Sequence, residues 1–381
     1  MPLAGPLGDF ADTAGVIANL DMVLTEYTAV AHLVAAIGVP TWIMLPLAPD
    51  WRWMLERGDS PWYPAARLFR QAAPGDWPSA VDAVATQLHH HLRALPAQGA
   101  PLPSPPVRPQ DRAMTQTLLP GTLLGQIGDL PLESGGVLPN ARLAFVTYGR
   151  LAPDGRNAVL LTHGYTSSHM FAHPTGAVSS EGSWAHLVGP GRAIDTDRFF
   201  VVSSNMIGSA YGSTAPMSFN PATGRAWGPD FPAITLTDIV TAQKRLLDLL
   251  GVKHLAAVVG PSYGGFQAFG WGITFPDFMD GLVPAVTAPR RPADRGPDVL
   301  EARMATSPNW NGGHYYEAGG IRATMADIRE ETLRRYGAEA ELAPHYPEKA
   351  ALDAAIRARA EAWADAFDGH SLLVLGRVLQ G

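Results

Sequence analysis

The 381-residue chain contains no cysteine. That absence excludes disulfides, thiolate nucleophiles and cysteine-ligated zinc together, and it fits the cytoplasm. A basic face is missing too: 28 Lys and Arg stand against 35 Asp and Glu, a formal net charge of −7. Nucleic-acid and anionic-membrane partners are therefore not expected. The opening stretch "MPLAGPLGDFADTAG" has no basic segment leading into an apolar core, so no signal peptide is expected. The most apolar window, "AVAHLVAAIGVPTWIMLPLA" from Ala29, is cut by His32, Gly38 and Pro40. A buried helix followed by a buried strand is the expectation there, not a membrane span.

What is plentiful is glycine and proline, 39 and 34 residues. The prolines gather in "LPAQGAPLPSPPVRPQDRA", where they forbid both helix and ladder. An extended connector over residues 95–117 is expected, dividing the chain into parts at 1–94 and 118–381.

The first part reads as helix ("DTAGVIANL"), strand ("DMVLT"), helix ("AVAHLVAAIG"), strand ("TWIMLPL"), a Trp-rich loop and a last helix from Trp77. Such alternation predicts a small parallel sheet with helical crossovers, packing as its own unit. His89, His90 and His91 end the last helix. Three consecutive helical residues face different sides, so no joint metal site is expected, here or elsewhere. The stretches "IANLDMVLTEYTAVAHLVAAIGVPTWIMLP" and "APDWRWMLERGDSPWYPAARLFRQ" resemble the C-terminal portion of bacterial heptosyltransferase-like and tetratricopeptide-linked glycosyltransferases. In that family an acidic residue and a threonine open a helix where the nucleotide-sugar sits; here the place reads Glu26-Tyr27-Thr28. With the partner lobe absent, no nucleotide-sugar binding is expected.

The second part alternates again through "ARLAFVTYG", "NAVLLTHG", "RFFVVSSN", a helix over 235–251, "HLAAVVG", a helix from Gly264, and "GLVPAVTA". This is the pattern of a doubly wound, mostly parallel α/β sheet. After Pro289 the chain turns helical and charged, as a cap at about 290–375 would.

"HLAAVVGPSYGGFQAFGW" places one serine, Ser262, at a strand-to-helix junction between Gly260 and Gly264. Strand, Gly-x-Ser-x-Gly, helix is the nucleophile elbow of α/β-hydrolases. A serine lifted into positive φ clears the sheet, and glycines on both sides let the turn be that sharp. The strand "NAVLLTHGYTSSHMF" ends in His163-Gly164, so the backbone N–H of Tyr165 is expected to join that of Tyr263 in an oxyanion hole. His163 itself is expected to be structural.

The run "IGSAYGSTAPMSFNPATGRAWGPDFPAITLTDIVTAQKRLLDLLG", with "GPGRAIDTDRFFVVSSN" before it and "SPNWNGGHYY" after, resembles the homoserine O-acetyltransferase family over residues about 120–381. The resemblance implies an α/β-hydrolase fold with a helical cap. It implies acyl transfer by Ser262 from acyl-CoA, a co-substrate with no bound cofactor, to an alcohol acceptor, and it is compatible with a homodimer. Where the family carries an arginine for the acceptor's carboxylate, Met325 stands here, and Arg322 one turn away is the substitute. The family's aspartate and histidine follow strands beyond the cap. This sequence stops at "FDGHSLLVLGRVLQG", inside what resembles the last cap helix, with His370 part of the cap. The expectation is a fold lacking its last strands, with an open sheet edge and no base for Ser262. An esterase on the same scaffold and a non-catalytic protein are the alternatives.

Overall fold

The computed structural model describes residues 17, 22–55, 57–92, 118–173, 184–288 and 296–380. The Pro-rich connector and all but one residue of the "DTAGVIANL" helix lie outside them. In the first part β1 (Val23–Glu26), α1 (Ala29–Ile37), β2 (Thr41–Leu45), β3 (Ala66–Arg70) and α2 (Trp77–Leu92) follow in order. The strands form a parallel sheet in the order β1-β2-β3. β3 corrects the sequence reading, which left "ARLFR" in a loop. Its two arginines hide a period-2 pattern in which Ala66 and Leu68 are buried on one face and Phe69 on the other. The apolar window from Ala29 is α1 and β2, as expected. Among the described residues no helix is long and apolar enough to cross a membrane.

The second part is built on β4 (Leu123–Pro131), β5 (Val137–Tyr148), β6 (Ala158–Thr162), β9 (Phe200–Ser204), β12 (Leu255–Pro261) and β13 (Leu282–Ala285). Two-residue ribbons, β7 (Val188–Gly189) with β8 (Ile194–Asp195) and β10 (Phe219–Asn220) with β11 (Arg225–Ala226), decorate its loops. The main sheet runs β13-β12-β6-β9-β5-β4, parallel from β13 through β9 and antiparallel at β9-β5 and β5-β4. This is the α/β-hydrolase fold that the sequence implied.

Strand side chains alternate between faces, and each face builds its own core. Leu160, Val202, Val258 and Leu282 pack under α3 (Leu236–Leu249) and α4 (Tyr263–Thr274). α3 begins where Thr235 accepts from the Asp238 N–H and Asp238 returns a bond to the Thr235 N–H, a closed capping box. The other face carries Val159, Leu161, Val201, Val259 and Val283.

The small unit does not close on itself. Leu24, Trp42, Met44 and Phe69, one face of its sheet, belong to the same apolar cluster as Val259 and Val283. Its opposite face, with Ile43, Leu45 and Leu68, packs on α1. A three-stranded sheet with one helix per face has apolar surface to spare, and the larger sheet takes it up. β1 lies alongside β13. The open edge expected at the last strand is accordingly covered: Leu282, Val283 and Ala285 are all buried.

The cap comprises α5 (Pro297–Met304), α6 (Arg322–Arg335), α7 (Ala338–Leu342), α8 (Lys349–Ala364) and α9 (Gly369–Val378). Met304, Met325, Trp363 and Leu372 pack down on Val146, Met170 and Tyr211. The "SPNWNGGHYY" stretch anchors α9. Tyr315 and Tyr316 donate to the buried Asp368 carboxylate at 2.6 and 3.0 Å, and His370 Nε2 bonds the Gly313 carbonyl at 2.6 Å.

Candidate active site

Ser262 stands between the end of β12 and the first turn of α4, with φ 52° and ψ −116°. A non-glycine residue there is strained, and the surrounding bonds over-determine it. Its N–H donates to the Ala285 carbonyl at 2.8 Å, and its own carbonyl accepts from Gly265 N–H at 2.9 Å. The side chain is exposed.

The glycines do what the turn needs. A Cβ on Gly260 would strike the Thr162 hydroxyl and come within 2.6 Å of the Gly264 backbone, while one on Gly264 would strike the Thr162 carbonyl. Thr162 Oγ1 lies 2.9 Å from the Gly264 carbonyl, so the end of β6 is bonded to the start of α4. Gly265 faces Thr287, in the loop after β13, with no room for a side chain.

Tyr165 follows β6 and lies beside the elbow. Its ring stacks on that of Tyr263 with centroids 5.7 Å apart and planes 6° off parallel. Both phenols reach up to the cap: Tyr263 donates to Leu375 O at 3.1 Å, and Tyr165 donates to Leu372 O. The three residues expected at the reaction centre, Ser262, Tyr165 and Tyr263, are thus brought together under α9.

His163 has both ring nitrogens bonded to groups other than Ser262. Its Nε2 lies 2.7 Å from Asn205 Oδ1 and its Nδ1 2.9 Å from the Gly164 carbonyl, and the ring is wholly buried. Because Asn205 Nδ2 donates to Ala210 O at 2.6 Å, the Asn205 oxygen must face the imidazole, which makes Nε2 the donor. Burial pushes His163 down to about 4. Burial, and then the nearness of His163, push His169 down to about 3. Both rings are neutral near pH 7.

When the chain unfolds, both rings regain their ordinary value near 6.5. The unfolded state then binds more protons than the folded one as pH falls. Stability present above about pH 6.5 is lost progressively towards pH 4 and 3, by about 1.4 kcal/mol per pH unit for each ring. Urea unfolding of His163→Gln between pH 6 and 4.5 is expected to fall off more shallowly by about one such increment. An unchanged slope would show that the His163 ring is already protonated in the fold.

Four further residues, unforeseen from the sequence, hold the loop. Trp271 Nε1 donates to Gln243 at 2.8 Å, Gln243 to Gln267 at 2.6 Å, and Gln267 to the His163 carbonyl at 3.1 Å. This buried relay ties α3 and α4 to the β6 end, and only two helical glutamines on apolar faces hint at it. The fourth is Arg329 of α6, buried, with Nη1 3.4 Å from Thr166 Oγ1 and its guanidinium 4.9 Å above the Trp363 ring.

Arg322 is not brought to this place. Its guanidinium donates to both Asp365 oxygens and lies 3.9 Å from Glu361. It borders a cap cleft of about 350 Å³ lined by Tyr315, Tyr316 and Asp368, a lining that includes none of Ser262, Tyr165 or Tyr263. The cation that reaches the residue next to Tyr165 is two helical turns further on, Arg329.

A family model described as alpha/beta hydrolase fold matches residues 157–352. A homoserine O-succinyltransferase of Comamonas testosteroni is 46% identical over 197 residues, 51% of this chain and 48% of that protein. A homoserine O-acetyltransferase of Moorella thermoacetica is 43% identical over 210 residues, 54% and 56% of the two chains. The chain thus spans about half the length of these curated relatives. A homoserine O-succinyltransferase of Methylibium petroleiphilum is 37% identical over 268 residues, 66% of this chain and 69% of that protein. Among solved structures, esterase E22 superposes with a TM-score of 0.60 at 27% identity, covering 68% of this chain and 77% of that one. By its fold, its elbow and these matches, the chain belongs to the alpha/beta-hydrolase family, in the group of the homoserine O-acyltransferases.

Proposed function

We propose that Ser262 is the nucleophile of an acyl-transfer site of the homoserine O-acyltransferase type. The observation that carries the reading is the Ser262 backbone, held at φ 52° on the strand-to-helix junction with its side chain exposed. In the reaction, Ser262 Oγ attacks the thioester carbonyl of an acyl-CoA. The oxyanion that forms accepts from the backbone N–H groups of Tyr165 and Tyr263. Its collapse breaks the C–S bond, and the serine proton, passed through solvent, leaves on the sulfur as the CoA thiol. An alcohol held under the cap, homoserine being the instance that the relatives' names give, then attacks the acyl-serine.

Among the described residues no imidazole is bonded to the Ser262 hydroxyl, and His163 is committed to Asn205. An unassisted serine hydroxyl is a weak nucleophile, so slow acylation and low turnover belong to the proposal. A hydrolase on the same scaffold is the second reading, favoured by the likeness to esterase E22. The two differ only in whether water or an alcohol attacks the acyl-serine.

A fluorophosphonate followed by peptide mass mapping tests the nucleophile. Labelling over hours is expected to concentrate on Ser262, to be slowed by acyl-CoA, and to be absent from Ser262→Ala. Adducts spread over other hydroxyls, with Ser262 reacting no faster than in the urea-unfolded chain, would sink the reading.

A further inference from the structure

The acyl-transfer reading gives the N-terminal α/β unit no task. The structure places it in one position with consequences. β1 runs alongside β13, the edge strand of the hydrolase sheet. The face of β1-β2-β3 that carries Leu24, Met44 and Phe69 shares a single apolar cluster with Val259 and Val283. The opposite faces match as well, since α1 packs on the small sheet's other side and α4 on the large sheet's other side.

Direction follows from this. From β12 to β13 the chain steps towards the small unit with its helix on the α4 side. From β1 to β2 it steps onward the same way, with its helix on the same side. Crossovers in such units are right-handed, so β1 runs parallel to β13. The two sheets together make one layer, β3-β2-β1-β13-β12-β6-β9-β5-β4. No ladder bonds join β1 to β13, because they belong to separate sheets. Side-chain burial joins them.

We infer that the N-terminal unit serves as the lateral cover of the hydrolase sheet. It prolongs the layer beyond β13 and shields an edge that would otherwise present unpaired backbone and apolar side chains to other chains. The cover is this chain's own residues 22–92, not a second copy. The inference rests on the fold and is independent of whether Ser262 reacts.

Hydrogen exchange on the full chain, with one mild truncation on each side of the seam, tests it. Leu24→Ala is expected to speed exchange in residues 282–288 by about fivefold or more, and Val283→Ala to do the same in residues 22–28, because a shared seam opens from both sides. A double variant whose unfolding equilibrium departs from the product of the single effects would agree. Effects confined to each variant's own sheet, with additive singles, would overturn the inference. Protection of β13 that fades on dilution of the parent chain would also overturn it, since a second copy would then be the cover.

Discussion

Joining the acid- and histidine-bearing strands of a homoserine O-acyltransferase to this chain is expected to raise Ser262-dependent ester turnover by about 10⁴- to 10⁶-fold. The reason lies at the elbow. Ser262 is already in its strained conformation, and Tyr165 and Tyr263 already stand beside it. What is wanting among the described residues is a group to take the hydroxyl proton. In the unmodified chain, Ser262→Ala is therefore expected to change turnover by no more than about twofold, since on the proposed base-free site little serine-dependent rate would exist to lose. A strand can be added to this sheet only at an edge, β4 or β13, and β13 is covered by β1. The gain should be larger when the graft replaces residues 1–117 than when it competes with them. Initial rates with an aryl ester would decide. Strong Ser262-dependent turnover in the unmodified chain would show that the base has been misplaced.

Gly264→Ala is expected to cost at least about 3 kcal/mol and to lower the melting temperature by about 6–12 °C. The added Cβ would run into the Thr162 carbonyl and sit 3.2 Å from the His163 carbonyl. Both are backbone groups at the end of a central strand, and a backbone cannot swing aside as a side chain does. Gly270→Ala in the same helix is the comparison. Its Cβ would meet Leu236 Cγ at 3.0 Å and Val240 Cγ1 at 3.2 Å, side-chain atoms that can give way. There the helix propensity of alanine, about 1 kcal/mol over glycine, should leave stability nearly unchanged. Equal losses in thermal melts of the two variants would defeat the backbone-collision account.

The elbow was legible because its requirements are local. Gly260, Ser262 and Gly264 sit within five residues, and the flanking strand and helix announce themselves by period. The same holds for α3, whose Thr235-Asp238 box is written in the sequence. Tyr165 was within reach because the fold fixes which loop faces the serine. The ion pair of Arg322 was not legible, because one helical turn in sequence says nothing of which neighbour a side chain meets. Asp365, more than forty residues on, takes it. Arg329 and the Gln243-Gln267 relay depend on how α6 packs on α8 and α4 on α3, which no single segment encodes. β3 was lost to its arginines. The seam between β1 and β13 could not be read at all, since nothing in either strand names the other.

That seam also sets a schedule. β1 to β3 leave the ribosome first, and β13 follows about 250 residues later, which at ~5–20 residues per second is about 10 to 50 s. Val84 of α2 is made at once and Val159, Leu161 and Val201 of the same cluster emerge in between, but Val283, which closes the cluster on Leu24, Trp42, Met44 and Phe69, comes last. The nascent unit must therefore wait, half covered, for a strand not yet made. Its joining is a late event of high sequence separation, the kind of contact that forms slowly. Synthesis rate and chaperone supply should then govern the yield of folded chain more than the stability of either sheet.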